Sequence, residues 1–118
     1  MIGKILRWIV VFNFLCLMYA ICDIETTGAV SQGAKITEIA IFVFDGEKIV
    51  DEFVSLINPE IPIPSIIVRL TGITDEMVAS APRFHEVAKR IVEITDGKVF
   101  VAHNVDFDYN FIRHEYKS

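Results

Sequence analysis

Two acidic clusters hold most of the chemistry available to this chain. The first is Asp23 and Glu25, at the end of the run MYAICDIETTG; the second is Asp106 and Asp108, inside VAHNVDFDYNFI. On a strand, alternate side chains share a face, so Asp23 and Glu25 point the same way, together with Tyr19 and Ile21. Their Cα atoms lie about 6.5–7 Å apart along the strand. From that spacing two carboxylates can converge on one divalent ion or bracket a pair about 4 Å apart. Ligation by oxygen alone suits Mg²⁺ or Mn²⁺ and not zinc. The competing reading leaves both acids in solvent at a frayed strand end, and the DxE pair alone does not decide between them.

The second cluster runs from a strand into a helix, with Asn104 a good N-cap. A helix starting there puts Asp108 on one face with Phe111 and Ile112, at i+3 and i+4. Asp106 instead shares a polar side with Tyr109, Asn110 and Arg113 and favours the helix N-terminus. A carboxylate on the core-facing side of a helix is costly unless paired or metal-bound, which makes Asp108 the candidate third ligand. His103 stands at the C-terminal end of the preceding strand, where sites in such sheets gather. It is either a proton acceptor or a hydrogen-bonded structural histidine. His85, on a solvated helix face, and His114, near the chain end, invite no catalytic role.

The elements that must position these acids follow from periodicity and turn signals. Residues 18–25 read as a strand ended by TTG, residues 29–34 as a loop, and residues 35–44 as a second strand. Its run of Ile39 to Phe44 is apolar throughout, as in a strand covered on both faces. Asp45-Gly46 is a hairpin signal. Residues 47–57 return, with Phe53, Ser55 and Ile57 on one face and Val54 and Leu56 on the other. Pro59, Pro62 and Pro64 make the next stretch a loop; residues 66–70 form a short helical turn, and Thr74 caps residues 75–79. Phe84, Val87, Ala88, Ile91 and Val92 then mark the apolar stripe of the clearest helix, with Pro82 in its first turn and Gly97 as its stop. Residues 98–102 form a short strand, and a last helix runs from Asn104. Three hairpin-connected strands followed by a β-α-β step give a mixed α/β sheet, antiparallel and then parallel.

Composition sets bounds. With 118 residues, 53% of them hydrophobic, the chain suffices for one small domain with a real core. A net charge of −5 excludes binding nucleic acid through an overall basic surface, so any phosphate partner calls for imported cations. Cys16 and Cys22, with no CxxC, fit a reduced, cytoplasmic protein without a zinc site. Residues 1–17 form an apolar extension with Lys4 and Arg7 near its start. Three readings compete: a targeting segment or anchor, an element packed on the domain, or a dispensable extension with Met18 at the domain's start. We take the last, and favour no membrane association.

DIETTG (23–28), LTGIT (70–74) and AHNVDFD (102–108), in that order, resemble the motifs of DEDD 3′→5′ exonucleases of the DNA polymerase III epsilon, or DnaQ-like, type. The resemblance covers residues 18–118 and implies an RNase H-like mixed sheet flanked by helices, incomplete at its C-terminus. It implies that Asp23, Glu25 and Asp108 are catalytic acids holding two Mg²⁺ or Mn²⁺ ions. It also implies that Thr26, Leu70, Thr71 and His103 lie at substrate-contacting positions, although Leu70 reads equally well as core packing. The implied partner is the 3′ end of single-stranded or frayed DNA, with a DNA polymerase subunit or a fused C-terminal domain as further partners. The implied reaction is two-metal hydrolysis of the terminal phosphodiester, releasing 5′-mononucleotides in proofreading or repair. The family's further histidine–aspartate motif, on a helix downstream of the third acid, has no counterpart after Asp108, so the chain alone is expected to be impaired. Alternatives are an oligoribonuclease-like RNA exonuclease and a non-catalytic nucleic-acid-binding module.

Overall fold

Along the first strand, Ala20, Cys22, Ile24 and Thr26 are buried, whereas Tyr19, Ile21, Asp23 and Glu25 are partly or wholly exposed. That period of two fixes which face of the sheet meets the core. The computed structural model describes residues 17–118; the readings of the extension lie outside these, apart from its last residue, Leu17, which is exposed. Strands β1 (Tyr19–Thr26), β2 (Ile36–Phe44), β3 (Ile49–Leu56) and β4 (Val99–Val101) form one sheet in the order β3-β2-β1-β4. The first three pair antiparallel and β4 runs parallel to β1, as the order of elements predicts.

The β2–β3 turn is made by Asp45, whose carboxylate accepts hydrogen bonds from the N–H groups of Glu47 (2.8 Å) and Lys48 (2.9 Å). Four helices follow: α1 (Ser65–Thr71), α2 (Asp75–Val78), α3 (Phe84–Thr95) and α4 (Val105–Glu115). The Met77 N–H donates to the Thr74 hydroxyl at the start of α2 (3.2 Å), and the Arg83 N–H donates to the Glu86 carboxylate at the start of α3 (2.7 Å). Both satisfy backbone donors that a helix start leaves free.

One core forms where α3 and α4 cover the face of Ala20, Cys22, Ile24, Ile39, Ile41 and Val43; Phe84, Ile91, Ile94 and Phe111 fill it. The stripe on α3 is turned slightly from expectation. Ile94 is buried and Val92 is half exposed; at the helix start Phe84 packs edge-on against Tyr116 (5.2 Å). The expectation for β2 also needs correction. Ile39, Ile41 and Val43 are buried, but Ala40, Phe42 and Phe44 on the other face are only partly covered, since among the described residues no helix layer spans that side.

The far end of α4 is stapled to the sheet. Glu115 accepts a hydrogen bond from the Ile36 N–H (3.0 Å) and pairs with Lys35 (3.6 Å), and the Tyr116 hydroxyl donates to the Ala88 carbonyl. Phe111, fully buried, anchors the middle of the helix. Phe111→Ala should therefore cost about 3–5 kcal/mol of stability, whereas Val92→Ser should stay within about 0.5 kcal/mol of the parent; urea unfolding curves of the two variants check this.

Candidate active site

β4 pairs with β1 only from Tyr19 to Ile21, while β2 accompanies β1 to Thr26. Beyond Ile21, no strand among the described residues lies on the β4 side of β1. The first turns of α4 bring Asp108 to this gap. The Asn104 side chain accepts from the Phe107 N–H (3.4 Å) and starts the helix; Phe111 and Ile112 face the core from its next turn. Asp108, on the same side, is 5% exposed, as its spacing from those two residues predicts.

Burial raises the Asp108 carboxyl above the ordinary aspartate range, and the charge of Asp23 adds to the rise. The N–H groups of Asp108 itself and of Ile24, and the charge of His103, pull the other way. Glu25 is raised too, first by burial and then by Asp23 and Glu38. Cys22, buried on the core side, is pushed up to about 12 by burial, with Asp108 and then Asp23 adding to it. Asp23 is thus the member whose charge is felt by Glu25, Asp108 and Cys22 alike. Three carboxylates gathered this way are mutually unfavourable, and a cation among them would relieve the repulsion.

The acids are not drawn into a closed cage. Among the described residues, no three His, Cys, Asp or Glu side chains stand close enough together to hold a metal as they are placed. Asp23 and Glu25 occupy the open face of the sheet, whereas Asp108 comes from the helix layer behind it. They therefore bracket the end of β1, and a shared cation would need the side chains to swing towards one another. The donor set, all carboxylate oxygen, fits a hard divalent ion.

The remaining predicted residues hold different positions. The Thr26 hydroxyl donates to the Gly28 carbonyl (2.9 Å). Thr27 exchanges two bonds with Lys35, its N–H donating to the Lys35 carbonyl (2.9 Å) and its hydroxyl accepting from the Lys35 N–H (3.0 Å). The DIETTG segment is thereby fixed to the start of β2. Thr71 donates to the Ile67 carbonyl (2.9 Å) and accepts from the Ile73 N–H (3.2 Å), closing the end of α1. Gly72, at φ +76°, takes the left-handed turn that follows. Leu70 is 76% exposed, so the core reading for it fails. His103 is exposed, and its charge reaches Asp108. Asp106 faces solvent.

Glu38 was not foreseen. It pairs with Glu25 on one side and Leu56 on the other, and Leu56 packs on the small cluster that includes Ile67 and Val68 of α1. One row of the sheet therefore links the DIETTG strand to the helix carrying LTGIT. Cross-strand register, counted back from the Asp45-Gly46 turn, is the signal that could have found it.

The exonuclease family designated RNase_T matches residues 20–118. The chain is 43% identical over 99 residues to a PolC-type DNA polymerase III of Caldanaerobacter subterraneus subsp. tengcongensis, covering 84% of this chain and 7% of that protein. It is 40% identical over 98 residues to the 3′-5′ exonuclease DinG of Bacillus subtilis, covering 82% of this chain and 10% of that one. The chain thus spans a tenth or less of the length of these relatives. Among solved structures, E. coli exonuclease I in a zinc-bound complex with single-stranded DNA superposes with a TM-score of 0.76 at 22% identity, covering 86% of this chain and 24% of that one. That likeness concerns the fold, which is RNase H-like. No helix among the described residues is long and apolar enough to cross a membrane.

The raised Asp108 carboxyl gives a stability test. A folded-state rise favours the protonated form, so the penalty is absent below the ordinary carboxylate range. It grows as pH climbs through the folded value and is complete above it. Asp108→Asn should therefore melt a few degrees higher than the parent at pH 7–8 in the presence of a chelator, and the gain should vanish near pH 3. Thermal melts across that range measure it.

Proposed function

The chain belongs to the RNase_T exonuclease family, and from that premise we propose that it acts as a 3′→5′ exonuclease that trims the 3′ end of a DNA strand. The reaction is hydrolysis of the terminal phosphodiester, releasing a 5′-mononucleotide in proofreading or repair. The observation that supports this reading is the approach of Asp108 to the unpaired edge of β1, where its charge and that of Asp23 oppose one another. Asp23, Glu25 and Asp108 are the residues that would hold the cofactor, two Mg²⁺ or Mn²⁺ ions. When bound, such ions lower the pKa of a coordinated water and neutralise charge on the reacting phosphoryl group.

The chain's own residues do the rest. Asp23 and Glu25 repel a bare phosphate, so the strand end and the cations must bind together. Leu70, projecting into solvent, offers an apolar surface to the terminal base. Thr26 and Thr71 act through the backbone turns they fix, holding the DIETTG and LTGIT segments still. His103, whose charge reaches Asp108, contacts the substrate end. Within a longer protein, a polymerase subunit or a fused domain would present the strand.

A uniformly labelled single strand incubated with Mg²⁺ tests the reading. The chain should release mononucleotides in a metal-dependent reaction. Asp23→Ala should lower that release by about a hundredfold or more, the scale of losing several kcal/mol of charge stabilisation. Mn²⁺ titration should show binding that Asp23→Ala removes. Unchanged release and unchanged Mn²⁺ binding in that variant would overturn the assignment.

A further inference from the structure

A cleft of about 920 Å³ lies between the Ala29–Ser31 stretch and the solvent side of α4. It begins at Asn104, one turn before Asp108, and runs towards the C-terminal end of the helix. Its far end carries two cations, Arg113 and Lys117, with the His114 imidazole between them. Asp106, near the start, is the single acid in the lining. For a chain of net charge −5 this is a local inversion of sign. Neither Arg113 nor Lys117 makes an ion pair among the described residues, so both charges are available to an outside anion. Phe107 also lines the cleft. Its ring is 41% exposed and braced from behind by the buried Phe111, with ring centroids 4.8 Å apart.

Cations that track a backbone, combined with a rigid, partly open aromatic ring, are what single-stranded nucleic acid binds without sequence preference. A peptide acid would need one cation. Arg113, in the last turn of α4, and Lys117, two residues past its end, line the same cleft, and two neighbouring cations suit consecutive charges along a polyanion. We propose that this cleft holds the single strand upstream of its 3′ end, with phosphates on Arg113 and Lys117 and one base stacked on Phe107. The proposal rests on the nuclease reading for the identity of the strand, and it adds a binding surface on the face of α4 opposite Asp108.

Fluorescence anisotropy of the full chain with labelled dT12 and dT2, in EDTA, tests it apart from catalysis. The double variant Arg113→Glu/Lys117→Glu should weaken dT12 binding about tenfold and flatten the dependence of log K on log salt by about 1.4, the value for two lost phosphate contacts on a single strand. Phe107→Ala should weaken dT12 binding about fivefold or more while leaving the salt dependence as it was. Binding of dT2, too short to reach Lys117 from the end of β1, should change little in the double variant. Lys48→Glu, a single charge reversal on the β2–β3 turn, serves as a control for net charge and should leave dT12 binding as in the parent. Parent-like affinity and salt dependence in the double variant would overturn the proposal, as would equal weakening by Lys48→Glu. If the parent binds no Mn²⁺ yet its dT12 binding still depends on Arg113 and Lys117, the cleft assignment stands and the nuclease reading falls.

Discussion

A carboxylate buried on the inner side of a helix is the constraint around which this molecule is arranged. Asp108 is almost wholly removed from water and sits within reach of the charge of Asp23. Burial of that kind opposes folding unless the charge finds compensation. The fold supplies part of it through the Ile24 and Asp108 N–H groups and the charge of His103, and leaves the remainder unmet. The unmet part is a demand for positive charge at one place on the surface, the end of β1. Stability is given up locally where a ligand can restore it, a pattern common at sites that bind cations.

The surrounding structure is built to hold that arrangement still. Glu115 and Tyr116 tie the C-terminal end of α4 to β2 and α3, and Phe111 fixes its middle, so the first turn of the helix has little freedom to carry Asp108 away. On the strand side, the two bonds between Thr27 and Lys35 keep the end of β1 against β2. The row Glu25–Glu38–Leu56 extends the same rigidity to α1. The acids themselves are left free to move at their side-chain torsions, while the backbones that carry them are pinned.

Most of the architecture was legible because two periodicities separate cleanly in this sequence. Period two in β1 predicts that Asp23 and Glu25 share a face, and the 3.6-residue period in α4 separates inward Asp108 from outward Asp106. The Asp45-Gly46 turn and the Thr74 cap were equally readable, each having a local chemical cause. What escaped depends on relations between elements. An uninterrupted apolar run such as Ile39 to Phe44 cannot reveal whether its second face is covered. Val92, on the apolar stripe by its spacing, stands half exposed while Ile94 is buried, because the side of α3 that meets the sheet is set by packing against other elements. Leu70 looks like core by type and stands in solvent by position. Glu38 joins the acids only through strand register, which no single segment encodes.

The double duty of β1 has a further consequence. Its odd-numbered residues carry the acids and its even-numbered residues carry the core, so a slip of one position would point Cys22 and Ile24 at water and drive Asp23 and Glu25 into the hydrocarbon interior. Misalignment therefore cannot yield a folded protein with a displaced site; it yields no folded protein. Chemistry and cohesion are insured by the same hydrogen bonds, and sequence drift can retune the one without the other only through side chains, never by moving the strand.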